Sequence, residues 1–140
     1  MSSVILSTSQ GIATIKLDNA AKLNAPTPDM MSGLGRILDE VEAAADVRAV
    51  LLTSAGDRFF CAGADINAWS GHSPQEFARI WVRGGHRLFD RLARVAKPTI
   101  AVLQGNAFGG GLELAAACDI RVMATGAELA LPETGVGIVP

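Results

Sequence analysis

Three short apolar runs constrain this chain most. Residues 47–53 (VRAVLLT), 99–103 (TIAVL) and 120–124 (IRVMA) are nearly continuous in apolar character, the pattern of strands covered on both faces. Helical stretches stand between them. That order predicts right-handed βαβ units, and hence an α/β fold with a mostly parallel buried sheet.

The flanking signals are consistent with this. Residues 4–6 and 12–17 are short strand candidates on either side of a turn containing Ser9, Gln10 and Gly11, with Ala13, Ile15 and Leu17 alternating against Thr14 and Lys16. They read as a hairpin with one wet face. After a polar, alanine-rich loop at residues 18–26, Thr27 can cap a helix whose first position is Pro28. Met30, Leu34, Ile37, Leu38 and Val41 then repeat at helical spacing to about Ala45. Further on, Ser73, Pro74 and Glu76 form a capping box and open a second helix, expected to run to about Val95. Its inward stripe is Phe77, Ile80, Trp81, Leu88, Leu92 and Val95, whose aromatics read as core rather than as a cofactor face. Gly84 and Gly85 cost that helix about 1 kcal/mol each relative to alanine, and suggest close packing of another element.

Composition narrows the partners. A chain of 140 residues with 49% hydrophobic and 19% charged residues is expected to be one soluble globular domain. Its net charge is −2, and no Lys and Arg cluster falls on a predicted face, which argues against nucleic acid and against an anionic membrane surface. Small molecules or protein remain. Cys61 and Cys118 fit no metal-ligand spacing, and His72 and His86 stand near no cysteine. Neither a signal peptide nor an apolar run of about 18 residues is present, so a cytoplasmic setting with reduced thiols is expected.

The chemistry points to residues 105–119, GNAFGGGLELAAACD. Gly109, Gly110 and Gly111 let a ligand approach the backbone, and the first N–H groups of the following helix suit an anionic oxygen. Glu113 stands in the first helical turn, where the dipole should favour its charged form. The same features also describe an ordinary close-packed loop with an acidic residue complementing a helix, so both readings stand on this stretch alone. Phosphate motifs fail. Leu112 and Glu113 occupy the place of the P-loop Lys and Ser/Thr, and Ala107 and Leu114 break the two possible dinucleotide fingerprints.

A second patch lies in the long loop at residues 54–72, where residues 61–65 are small. If strands 47–53 and 99–103 are parallel neighbours, both patches sit at one sheet end, where α/β folds place ligands. Two converging backbone N–H groups there would form an oxyanion hole.

FFCAGADI at residues 59–66, AVLQGNAFGGGLELAAACDI at 101–120 and LPETGVGIVP at 131–140 resemble the enoyl-CoA hydratase/isomerase, or crotonase, family. Lys22-Leu23-Asn24-Ala25 resembles a fourth motif, so the likeness covers essentially the whole chain. It implies a crotonase-like spiral of ββα units. It also implies an oxyanion hole from the N–H groups of Ala64 and Gly110, and catalysis by Glu113 and Glu133. Both are expected to contact the water, and because the helix start favours the charged form of Glu113 while the loop-like segment gives Glu133 no such help, Glu113 is expected as base and Glu133 as proton donor to C2. Ala25, Ala62, Ala64, Asp65, Ile66, Asn67, Gly109 and Gly110 would bind the CoA substrate. Some hydratases carry lysine where this chain has Asn67.

The activity implied is hydration of a 2-enoyl-CoA to a 3-hydroxyacyl-CoA, with no metal and no cofactor beyond the CoA of the substrate. Isomerisation, dehydration of another acyl-CoA, thioester hydrolysis and non-catalytic acyl-CoA binding remain as alternatives. Family members are nearly twice as long and commonly assemble as homotrimers or hexamers (dimers of trimers). Residues 1–140 are therefore expected to be an N-terminal core domain lacking the C-terminal helical part.

Overall fold

The computed structural model describes residues 2–69 and 71–140, with only the backbone of Ile66 and Trp69. The chain opens with β1 (Ser3–Ser9) and β2 (Ile12–Asp18), an antiparallel hairpin in which Ser9 faces Ile12 across Gln10 and Gly11. Both turn residues have positive φ (51° and 79°), the conformation that matches the twist of the flanking strands. Ala13, Ile15 and Leu17 are buried, as their alternation predicts.

Helix α1 (Pro28–Ala43) begins where Thr27 accepts a hydrogen bond from the Met30 N–H at 3.2 Å, and it buries Met30, Leu34, Leu38 and Val41. At its other end the Lys97 ammonium donates to the carbonyls of Val41 and Ala44, satisfying acceptors that a helix terminus leaves open.

β3 (Ala49–Ser54), β5 (Thr99–Leu103) and β7 (Ile120–Met123) complete a five-stranded sheet in the order β1-β2-β3-β5-β7, parallel from β2 onward. The expected parallel pairing of β3 with β5 is present, with Val50 opposite Thr99. The expected burial of the third apolar run is not. All four residues of β7, the edge strand of this sheet, are exposed, so the run is covered on neither face. An apolar run identified the strand without showing what covers it.

The loop at residues 54–72 holds more order than its composition suggested. β4 (Phe59–Cys61) pairs with β6 (Asn106–Phe108), which pairs with β8 (Leu129–Ala130), forming a second, parallel sheet; a 3-10 turn follows at Ile66–Trp69. The rings of Phe59 and Phe108 meet edge to face at 5.2 Å between centroids.

The second helical region is also divided. The Ser73–Glu76 capping box opens α2 (Pro74–Phe77), a π turn follows at Ala78–Val82, and α3 (Arg83–Ala93) ends two residues before the expected limit. Trp81, Leu88 and Leu92 are buried, whereas Phe77, Ile80 and Val95 are half-buried. Gly85 is buried near α1, but a Cβ there would stand 3.8 Å from Met31 Cε. That is ordinary contact, so packing does not demand glycine.

The main core lies between the large sheet and helices α1 and α3, with Ile15, Leu38, Leu52, Phe60 and Leu92 fully buried. No helix among the described residues is long and apolar enough to cross a membrane.

Candidate active site

Helix α4 (Gly110–Ala116) packs directly onto β4, because Gly111 has no side chain: a Cβ there would overlap the Cys61 carbonyl. That contact brings the 61–65 patch against the triple glycine. A Cβ placed on Gly63 would lie 3.0 Å from Phe108 O and 3.3 Å from Gly110 N, and one on Gly110 would lie 3.9 Å from Ala64 N. The two backbone patches are thus neighbours. Neither the Ala64 nor the Gly110 N–H donates to an acceptor among the described residues.

A third segment closes the arrangement. The Gly109 N–H donates to Ala130 O at 2.9 Å, so pairing of β6 with β8 carries the chain back to the 3-10 turn Glu133–Val136. Gly109 adopts φ 53° and ψ −129°, a region that side-chain-bearing residues avoid. Its missing side chain makes room for Glu133. A Cβ there would stand 2.9 Å from Glu133 Oε1. Glu133 is only 9% exposed, and its Oε2 is buried with no hydrogen-bond partner among the described residues.

Glu113 Oε2 lies 3.7 Å from the Cβ position of Gly110, on the same side as Ala64 N. Burial pushes the Glu113 carboxyl above the usual carboxylate range, the charge of Glu133 pushes it further, and His86 opposes both. This overturns the expectation that the helix start favours the ionised form. Burial and the like charge of Glu133 both act against ionisation at this position.

These groups line one cavity of about 690 Å³. Its walls include Ala62, Gly63 and Ala64, the two glutamates with Gly109 and Gly110, and apolar side chains of α1 such as Met30 and Leu34. Phe77 and Trp81 line it as well, Trp81 from a buried position as its core reading predicts and Phe77 half-buried. His86 is on that wall too, and sequence reasoning passed over it as a lone histidine.

Ala25, Asp65 and Asn67 stand off the cavity wall. Ala25 is buried in its loop, its N–H donating to Lys22 O at 3.0 Å and its carbonyl accepting from Asn19 Nδ2 at 2.8 Å. Asp65 pairs with Lys22 at 2.7 Å, which holds its carboxyl below the usual range, and its Oδ1 accepts from the Asn67 N–H at 3.1 Å. The side chain of Ile66 lies outside the described residues.

A family model described as enoyl-CoA hydratase/isomerase matches residues 7–140. The chain belongs to the enoyl-CoA hydratase/isomerase family. A short-chain-enoyl-CoA hydratase from Clostridium acetobutylicum is 36% identical over 140 residues, covering 100% of this chain and 53% of that protein. A crotonyl-CoA hydratase from Syntrophomonas wolfei is 34% identical over 137 residues, covering 98% of this chain and 52% of its own length. The crystal structure of an enoyl-CoA hydratase from Bacillus anthracis superposes with a TM-score of 0.93 at 31% identity, covering 98% of this chain and 53% of that one. The chain therefore spans about half the length of these enoyl-CoA hydratase/isomerase relatives. In this chain the loop carrying Ala64, helix α4 with Gly110 and Glu113, and the 3-10 turn with Glu133 meet at one cavity.

Proposed function

We propose that this protein hydrates a 2-enoyl-CoA thioester to the 3-hydroxyacyl-CoA. One observation carries the reading: two carboxylates, and two backbone N–H groups without acceptors among the described residues, share a single, largely apolar cavity. A conjugated thioester needs both sets. Charge that develops on the thioester oxygen as water adds would be held between the N–H groups of Ala64 and Gly110, which are fixed before reaction and need no reorganisation.

The carboxylates divide the proton traffic. Glu113, made more basic by burial and by Glu133, accepts a proton from water as the water oxygen bonds to C3. Glu133 enters the cycle holding the one proton the pair shares and delivers it to C2; the proton taken up by Glu113 then passes back to Glu133, so the net change is addition of one water across the double bond. The unpartnered Oε2 of Glu133 suits this role, since a buried carboxylate oxygen without a donor is costly unless a ligand or water meets it. Small residues at positions 62–64 leave the backbone open to the thioester, and the apolar walls suit the acyl chain.

Crotonyl-CoA and free crotonic acid together test the reading. Loss of the conjugated thioester and appearance of 3-hydroxybutyryl-CoA are expected from the first and no reaction from the second. Absence of the hydroxyacyl product across a panel of enoyl-CoA chain lengths would overturn it.

A further inference from the structure

The π turn at Ala78–Val82 adds a residue to one helical turn, so α3 is offset from α2 by about 100°. Two stripes therefore face the cavity: Phe77, Trp81, Gly85 and Leu88, and beside them Val82, His86 and Phe89. His86 is the polar member of this apolar wall. Gly85 and Leu88 around it are buried, whereas His86 itself is exposed, which places it at the cavity rim.

The charge on the lining is unbalanced without it. Among the described residues, α4 contributes Glu113, the turn Glu133–Val136 contributes Glu133, and α3 contributes His86. Helix α1 faces the cavity with Met30, Met31 and Leu34, and residues 62–64 bring only Ala62, Gly63 and Ala64. His86 is thus the one described lining group able to carry positive charge. We propose that His86 is a positioning residue for Glu113, the one described group on their shared apolar cavity wall that can set a positive charge against its carboxylate. The balance of influences on Glu113 agrees: burial and Glu133 disfavour its charged form, and His86 favours it. The catalytic consequence rests on the two-glutamate hydratase reading; the electrostatic coupling does not.

Carbon-13 NMR titration of the Glu113 carboxyl tests the coupling without any turnover. In His86→Gln its midpoint should move to higher pH, and in His86→Lys, which keeps a cation, it should stay at or below the parent's. A midpoint unchanged in His86→Gln overturns the proposal, and so does one that rises equally in His86→Lys, because lost packing would then explain it. A kinetic arm follows. The acid limb of kcat/KM for crotonyl-CoA should shift upward in His86→Gln and be restored in His86→Lys. If the titration shifts as expected while the parent hydrates no enoyl-CoA, the coupling stands and the hydratase reading falls.

Discussion

Glu133 occupies the space that a side chain at Gly109 would need, with Oε1 2.9 Å from the position of the missing Cβ. Gly109 also has positive φ. Gly109→Ala should therefore suffer twice: about 1–3 kcal/mol for the backbone, and a further loss as Glu133 is displaced. Gly126→Ala separates the two effects, because Gly126 has φ +86° with nothing within 4 Å of its Cβ position. Urea unfolding should place Gly126→Ala about 1–2 kcal/mol below the parent. Gly109→Ala should fall clearly lower, and equal losses would show that Glu133 is not held by that gap.

Glu113 and Glu133 come from different segments yet share one cavity, so they should act as a unit. Glu113→Gln and Glu133→Gln should each cut crotonyl-CoA hydration by more than about tenfold, or about 1.4 kcal/mol. The double variant should be little worse than the poorer single one. Single losses below tenfold, or losses that multiply, would contradict a shared water.

Stability should move the opposite way at Glu113. Its folded-state pKa is raised, so the folded protein favours the protonated form, and the associated stability is lost as pH rises through that value. Glutamine imitates the neutral acid. Glu113→Gln should melt above the parent at pH near 7, and the gap should close on acidification below the ordinary glutamate range of about 4.3. A variant that melts lower than the parent at neutral pH would refute the sign.

The elements legible in the sequence were those with a local cause. The hairpin at residues 3–18, the Thr27 cap and the Ser73–Glu76 capping box each depend on a few adjacent residues, and all are present. The pairing of β3 with β5 was legible because two apolar runs separated by a helix can hardly do otherwise. The second sheet was not. Its strands have two or three residues, too few for any period, and they form because loops are brought together by the larger sheet. His86 escaped notice for a related reason. The π turn breaks the helical phase between α2 and α3, so a stripe counted from Phe77 at regular spacing misses the second face. At Glu113 the motif identified the residue, but its protonation depends on Glu133, twenty positions away in the chain.

The exposed edge predicts self-association. Ile120, Val122 and Met123 on β7 are 51%, 56% and 45% exposed, and the strand has a free side for hydrogen bonding. An apolar, unpaired edge is a template for another strand. The 140-residue chain should elute with a size that grows with concentration, and Val122→Lys should reduce this while leaving the circular dichroism spectrum unchanged. A sharp monomer at all concentrations would contradict the expectation.

Asn24 holds the loops beneath the site together, and its side chain does so from a fully buried position. Its Nδ2 donates to Ala55 O and to Phe59 O at 2.8 Å each, while its Oδ1 accepts from the Asn19 N–H at 3.0 Å. The next link is direct: Leu23 O accepts from the Ala62 N–H at 3.0 Å, so this loop anchors the segment leading to Ala64. Asn24 also has φ 56°, which asparagine tolerates better than most residues with a side chain. Asn24→Gly keeps the backbone unstrained but abandons the two carbonyls, each costing about 1–3 kcal/mol when buried and unpaired. Asn24→Ala adds strain at positive φ, and Asn24→Asp puts a carboxylate against two carbonyl oxygens. Urea unfolding at neutral pH should therefore rank stability as parent, Gly, Ala, then Asp, with the Asp variant recovering in acid as its carboxyl regains a proton to donate. If Asn24→Gly stays within about 0.5 kcal/mol of the parent, the level of an ordinary surface substitution, the hydrogen bonds do not hold these loops.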